Sequence, residues 1–314
     1  MSYPRILSIC AFAAFALPFS PSPRAFAAEE KSAPGGRTSP SGYIKYWPGD
    51  LPIVISAPHG GTKKPGDIPD RSSGVTVLDG YSAALATAIR DAMRQRFGRA
   101  PHLVICELAR TKVDCNRDIA EGSQGNKKSE QVWHEYHNFI DEAEKAALAK
   151  NPHGMYFDIH SHGHEKKRVE IGYLLKKEDL AMSDEQLNAD PKIAARTSIR
   201  SLDQLSPASF SDLVRGPTSL GGLLESHGIP AVPSPTAILE KDDPYFNGAY
   251  DVLAHGSRDK NQLDGAQLET PMQIRNTPET RAATGKALAE SVDVYFEKHF
   301  GMKLPHANGT KAAP

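Results

Sequence analysis

Short apolar runs alternate with longer segments of helical periodicity along most of the chain. Each run is four to ten residues long and ends in polar residues, glycine or proline, which is typical of a buried strand followed by a turn. The runs are IVIS (53–56), PHLVICELAR (101–110), GMYFDIHSH (154–162), VEIGYLL (169–175) and DGAQLETP (264–271). We therefore predict five strands.

Helical spacing of apolar residues appears between these runs. It predicts helices over 78–97, 127–150 and 278–300, with Asp79 at or just before the start of the first helix. Short apolar strands that alternate with helices indicate an α/β fold with a mostly parallel sheet. In such a sheet, ligands bind beyond the carboxyl ends of the strands.

The two ends of the chain differ from this pattern. Arg5, an apolar stretch over 6–19 and the small-residue motif Ala25-Phe26-Ala27 predict a signal peptide over 1–27. This predicts a secreted or periplasmic protein with no membrane contact after cleavage. Residues 28–42 have the composition of a flexible linker, 43–304 form one predicted domain, and 305–314 form a loose tail.

Composition narrows the range of partners. The chain is 39% hydrophobic and 24% charged with a net charge of −1, which is typical of a globular protein and argues against nucleic acid as a partner. The sequence does not reveal the oligomeric state. Cys106 and Cys115 are the cysteines beyond the predicted signal peptide, and export makes a disulfide between them an open question.

Two histidines follow predicted strands and are candidate metal ligands. His59 lies in a tight turn after the first run, and His160 ends the third. A catalytic zinc site usually has three protein ligands, from His and carboxylates, and one open position. Asp158 lies on the same face of its strand as His160 and is a candidate outer partner. On spacing alone the third ligand stays open among Asp79, Glu107 and His162.

Other polar residues at strand ends suggest how a substrate would bind and react. Arg110, Asn116 and Arg117 lie in ARTKVDCNRD, and arginine forks match carboxylates bidentately, so this loop is a candidate binding site for an anionic substrate. Glu269 ends the fifth run, where a carboxylate beside an activated water can act as general base.

Taken together, these motifs resemble the N-formylglutamate amidohydrolase family. The resemblance covers most of the chain after Ile53 and rests on five motifs in order: SAPHGG (56–61), LARTKVDCNRD (108–118), FDIHSHG (157–163), PYFNGAYDVLAHGS (244–257) and DGAQLETP (264–271). It implies a phosphorylase/hydrolase-like, three-layer fold with a mostly parallel mixed central sheet around one Zn²⁺ ion.

The resemblance also implies roles for individual residues. It implies His59, Asp79 and His160 as zinc ligands and favours Asp79 over its two rivals. It further implies Glu269 as general base and Arg110 as the group that polarises the scissile carbonyl. The residues that it implies for substrate binding are Asn116, Arg117 and His255.

The predicted function is that of a zinc-dependent amidohydrolase. It would cleave the amide bond of a small anionic N-acyl amino acid, such as N-formylglutamate, by zinc-activated water. One alternative is an exported zinc peptidase or cell-wall amidase on the same fold. A second, from another class, is a periplasmic binding protein for an acidic ligand, which would need no general base.

Overall fold

The computed structural model describes residues 35–237, 239–240, 242–259 and 263–307. Within them, the strands are β1 (Arg37–Thr38), β2 (Ile44–Trp47), β3 (Ile53–Ala57), β4 (His102–Cys106), β5 (Gly154–Ser161), β6 (Val169–Gly172), β7 (Ala231–Val232) and β8 (Leu263–Thr270). The helices are α1 (Ser82–Phe97), α2 (Ile119–Ser123), α3 (Lys127–Leu148), α4 (Lys177–Leu180), α5 (Asp184–Ala189), α6 (Pro191–Ala195), α7 (Arg200–Leu205), α8 (Phe210–Arg215), α9 (Leu220–Ser226), α10 (Tyr250–His255) and α11 (Pro278–Tyr295).

The strands form one mixed sheet in the order β1-β2-β4-β3-β5-β8-β6-β7. Its centre, β4-β3-β5-β8, is parallel, whereas β2 and β6 run antiparallel to β4 and β8. Helices cover both faces, so the molecule has three layers. The predicted α/β class with a mostly parallel mixed central sheet is confirmed.

Strand alternation separates two apolar cores on the faces of the sheet. On β5, Phe157 and Ile159 belong to the core shared with α1 and α11, whereas Tyr156 belongs to the core shared with α3 and α10. Because successive strand residues point to opposite faces, Asp158 and His160 follow Tyr156 toward the α3 side. The polar end of β5 therefore faces the space beside the loop that joins β4 to α3.

The five predicted strands correspond to β3, β4, β5, β6 and β8, and the three predicted helices to α1, α3 and α11. The last helix continues into a π-helical turn, Phe296–Phe300. The predicted signal peptide lies outside the described residues. Part of the predicted linker, Arg37–Thr38, pairs with β2 as the edge strand. Residues 305–307 of the predicted tail are described, and the rest of it is not.

Cys106 and Cys115 are both buried as free thiols. No helix in the described part of the chain is long and apolar enough to cross a membrane.

Candidate metal centre

The turn after β3 brings His59 to the carboxyl edge of the sheet. The backbone after it passes so close to the end of β4 that a Cβ on Gly61 would lie 2.3 Å from the carbonyl carbon of Glu107. A Cβ on Gly60 would lie 2.7 Å from Cβ of Ala83. The two glycines of SAPHGG therefore permit a turn that a larger residue would block.

Three buried side chains converge beyond this edge. His59, Asp79 and His160 each offer one ligand atom to a common point. Nδ1 of His59 lies 3.2 Å from Nδ1 of His160. Oδ2 of Asp79 lies 3.0 Å from Nδ1 of His160 and 3.6 Å from Nδ1 of His59.

These spacings fit a tetrahedral zinc site. Zinc–ligand bonds of about 2.0–2.1 Å at tetrahedral angles separate neighbouring ligand atoms by about 3.3 Å. The three observed separations, 3.2, 3.0 and 3.6 Å, lie around that value. Two imidazoles and one carboxylate are also a ligand set that zinc takes in catalytic sites.

The second nitrogen of each imidazole is bound to a buried carboxylate. Nε2 of His59 lies 2.7 Å from Oδ1 of Asp114, and Nε2 of His160 lies 2.6 Å from Oδ2 of Asp158. An ionised carboxylate only accepts, so both Nε2 atoms donate. In a neutral ring Nδ1 then carries a lone pair that can bind a metal, and in a protonated ring Nδ1 donates to Asp79. Such carboxylate–histidine pairs orient ligand histidines in metal sites.

The charges of this cluster depend on one another. Burial would raise the pKa of Asp79, but hydrogen bonds from His160 and His59 outweigh it and hold that pKa well below its usual value. Burial would lower the pKa of His160, but Asp158 and Asp79 raise it well above its usual value. The carboxylate of Asp79 and the protonated form of His160 therefore stabilise each other.

Asp79 does not act as a cap of α1. It lies three residues before the helix, whose N-terminal flanking residue is Tyr81, and no side chain caps that end. Backbone bonds instead hold it beside the cluster, since Asp79 N donates to the carbonyl of His59 and Ser161 N donates to Asp79 Oδ2.

The two rivals for the third ligand position have other partners. Glu107 points away from the cluster and pairs with Lys63 at 2.7 Å. His162 uses Nε2 to donate to the carbonyl of Arg168, and its Nδ1 accepts from the backbone N–H of His164.

Glu269 stands on β8 opposite His160 in the sheet register. Its Oε1 accepts from Gln267, and its buried Oε2 has no hydrogen-bond partner among the described residues. Burial raises the pKa of Glu269 to about 8, although His160 opposes this shift. One carboxylate oxygen next to the cluster thus remains free to hold a water molecule.

The predicted substrate-binding loop borders the same cluster. Nε of Arg110 donates to Asp114 Oδ2 at 3.0 Å, and its Nη1 lies 3.8 Å from Asp79 Oδ1. The amide of Asn116 lies 3.1 Å from His160 Nε2, and its oxygen accepts from the backbone of Asp251. Arg117 donates from Nε to Glu121 and from Nη1 to the carbonyl of Asn116.

His255 is buried and contacts a different group of side chains. Its Nε2 lies 2.9 Å from Nδ1 of His137, and its Nδ1 lies 3.0 Å from Glu144. His137 in turn donates from Nε2 to the carbonyl of Cys115, next to Asn116. The predicted contact of His255 with a substrate stays a prediction.

Three residues of this region were not identified from the sequence. Asp114 accepts a hydrogen bond from His59, and Arg71 lies 3.5 Å from Asp114. Arg275 donates to the carbonyls of Gly80, which follows Asp79, and of Thr270, which follows Glu269. Asp114 lies inside a motif already selected for its arginines. No local pattern singles out Arg71 or Arg275, because Arg71 contacts Arg110 across 39 residues and Arg275 contacts Gly80 across 195 residues.

Comparisons with known proteins add evidence on the fold. No protein-family model matches the sequence, and no curated protein matches it either. The solved structure of N-formylglutamate amidohydrolase from Ralstonia eutropha JMP134 is similar, with a TM-score of 0.51 and 13% identity over 83% of this chain and 99% of that one. A gene product from Agrobacterium tumefaciens gives a TM-score of 0.46 and 14% identity over 80% and 94% of the two chains.

A metallo-carboxypeptidase from Pseudomonas aeruginosa gives a TM-score of 0.36 and 14% identity over 87% of this chain and 66% of that one. At these identities, the likeness concerns the fold alone. The chain therefore shares its α/β fold with an N-formylglutamate amidohydrolase.

Proposed function

We propose that the protein is a zinc-dependent amidohydrolase, with one ion held by His59, Asp79 and His160. The observation that carries this proposal is the set of three ligand atoms at tetrahedral spacing. Both ligand imidazoles are also fixed through their second nitrogen by a buried aspartate. A zinc ion in this position would supply a Lewis acid and lower the pKa of a water molecule.

In this proposal Glu269 is the general base. A zinc ion beside it would oppose the effect of burial and favour the ionised carboxylate. Its buried, unpartnered Oε2 can then accept a proton from the attacking water and deliver it to the leaving amine. Arg110 would stabilise the negative charge that develops on the amide oxygen, since its guanidinium lies beside Asp79.

The proposed substrate is a small anionic amide, an N-acyl amino acid such as N-formylglutamate. Support comes from the arginine-rich loop beside the cluster and from the resemblance of the ordered motifs. The amino-terminal motif further supports a secreted or periplasmic location.

The proposal is tested with Glu269→Gln, which keeps the shape of the side chain but removes the base. We expect about one zinc per purified chain in both proteins, and hydrolysis in the variant that is lower by about 10²-fold or more. Glu107→Gln, just after strand β4, is the matched control and should hydrolyse at the wild-type rate.

A panel of N-acyl amino acids, acidic dipeptides and muropeptides identifies the substrate. Preference for N-acyl amino acids supports the amidohydrolase, whereas preference for the other two groups supports the peptidase or cell-wall amidase. Absence of stoichiometric metal, or an unchanged rate in Glu269→Gln, contradicts the proposal.

A further inference from the structure

Arg71 is a buried arginine in the loop between β3 and α1. Its side chain is 1% exposed. Its backbone N–H donates to the carbonyl of Thr111 at 2.6 Å. The next residue, Ser72, donates from both its backbone N–H and its hydroxyl to the side chain of Gln124. The loop is thus attached on both sides, and the position of the arginine is fixed.

The guanidinium of Arg71 is anchored at only one of its three nitrogens. Nη1 donates to the carbonyls of Val75 and Arg110, at 2.9 and 3.1 Å. Nε and Nη2 are buried and have no hydrogen-bond partner in the described part of the chain. These two nitrogens form the side of the guanidinium whose N–H bonds run parallel, and that side binds a carboxylate through two hydrogen bonds.

Two further arginines and two acids lie around Arg71. Arg110 and Arg117 lie close enough to interact with it electrostatically, as do Asp114 and Glu121. Both acids already have partners: Asp114 accepts from His59 and Arg110, and Glu121 accepts from Arg117. Two buried donors without a hydrogen-bond partner cost free energy unless a ligand accepts from them.

The residues expected to hold a substrate carboxylate are more fully used within the protein. The amide of Asn116 contacts Gln267 and the backbone of Asp251, and Arg117 contacts Glu121 and the carbonyl of Asn116. Arg71, in contrast, keeps a complete two-donor side. Only the carboxylate of Asp114 separates it from His59, since the two oxygens lie 3.5 Å from Arg71 Nη1 and 2.7 Å from His59 Nε2.

We propose that Arg71 binds the carboxylate of the substrate through Nε and Nη2, and that Arg117 adds longer-range charge. This inference rests on the proposed function and specifies the ligand class as amides that carry a free carboxylate. A carboxylate reaches the fork by displacing the exposed backbone at Gly74, which covers Nη2, while Ser72 and Val75 keep their bonds to Gln124 and Arg71. A Cβ at Gly74 would lie 2.8 Å from Nη2.

The first experiment measures binding without turnover. Isothermal titration calorimetry of the zinc-loaded protein compares glutarate with glutaramide, which has the same shape but no charge. Arg71→Lys keeps the charge but cannot offer the two-donor fork. We expect it to weaken glutarate binding by about 10- to 100-fold, the value of a lost charged hydrogen bond, and to leave glutaramide binding unchanged.

Two further substitutions separate binding from structure. Arg90→Lys is the matched control, because Arg90 is also buried with an unpartnered Nε but lies on α1, on the other face of the sheet. It should leave the binding of both ligands unchanged. Arg117→Lys should weaken glutarate binding less than Arg71→Lys does. Equal losses for both ligands in Arg71→Lys, no loss, or a larger glutarate-specific loss in Arg117→Lys overturns the inference.

The second experiment uses the best substrate of the N-acyl amino acid panel and its carboxamide. Arg71→Lys should lower kcat/KM for the acid by about 10- to 100-fold, mainly through KM, and change that of the carboxamide little. If the protein hydrolyses no amide but Arg71→Lys still weakens the binding of glutarate alone, the anion site is supported and the proposed amidohydrolase activity is refuted. If the protein hydrolyses the acid but Arg71→Lys does not lower kcat/KM for the acid specifically, only the anion site is refuted.

Discussion

At the scale of single residues, the candidate site depends on which nitrogen of each histidine faces inward. His59 and His160 both turn Nδ1 toward Asp79 because a buried aspartate takes Nε2. The sequence identified the two histidines by their place after apolar runs, and it identified Asp158 as a partner by strand alternation. It could not identify Asp114, because that contact joins His59 to a residue 55 positions away.

Asp158→Asn tests the contribution of this outer carboxylate. The asparagine oxygen can still accept from His160 Nε2, and its amide can donate to Ser56, whose hydroxyl now contacts Asp158 Oδ1. Loss of the charge makes the imidazole a weaker ligand, so we expect zinc affinity to fall by about 10- to 100-fold. Competition with a chromogenic chelator measures it.

The control for this substitution is Asp91→Asn, which changes a partly exposed carboxylate on α1. It should not alter zinc affinity. Wild-type affinity in Asp158→Asn would show that Asp158 does not support a metal ligand. A lower thermal stability of the zinc-free variant would show instead that the substitution damages the fold.

At the scale of elements, long periodic segments were predictable and short ones were not. The apolar runs of β3, β4, β5, β6 and β8 matched strands, because each is buried on both faces of the sheet. Helices α2 and α4 to α10 were missed because each has only four to seven residues, which is at most about two turns of the helical period. Strands β1 and β7 have two residues each and depend on their neighbours.

Arg275 links two of the elements that carry the candidate site. It is buried, donates from Nε to the carbonyl of Gly80 and from Nη1 to that of Thr270, both at 2.8 Å. Gly80 follows Asp79 and Thr270 follows Glu269, so one side chain fixes the spacing between the proposed metal ligand and the proposed general base. Burial lowers the pKa of Arg275 to about 10, while Asp79 and Glu269 favour its charged form.

Arg275→Lys removes at least one of these two bonds. Because Asp79 and Glu269 then lose their fixed spacing, we expect zinc affinity and kcat to fall together, each by about 10-fold, with KM changed less. The control is Arg215→Lys on α8, where the arginine also bonds two backbone carbonyls, those of Leu180 and Met182. A change in thermal stability alone would assign Arg275 a structural role only.

At the scale of the whole molecule, the residues expected to act on a ligand lie at one end of the strands, and a residue expected to affect stability lies at the other end. The candidate centre lies at the carboxyl edge, beyond His160 and Glu269. Asp264 lies on the same strand as Glu269 but near the opposite edge, where it pairs with Met155. Its Oδ1 accepts from Ser257 and from the backbone of Leu202, and its Oδ2 is buried without a partner in the described residues.

This environment predicts a pH dependence of stability that is independent of zinc. Burial raises the pKa of Asp264 from 3.8 to about 7, although the hydrogen bond from Ser257 opposes the shift. Between these values the folded state holds a proton that the unfolded state has lost, so the free energy of unfolding falls as pH rises. Asp264→Asn cannot ionise, and its oxygen can keep both hydrogen bonds. We therefore expect denaturant unfolding to give similar stabilities near pH 4 and a variant more stable by on the order of 3 kcal/mol at pH 8. The control is Asp259→Asn, at an exposed carboxylate, and its stability should depend on pH as that of the wild type does. If the stabilities of wild type and Asp264→Asn change in parallel with pH, Asp264 is ionised in the folded protein throughout this range.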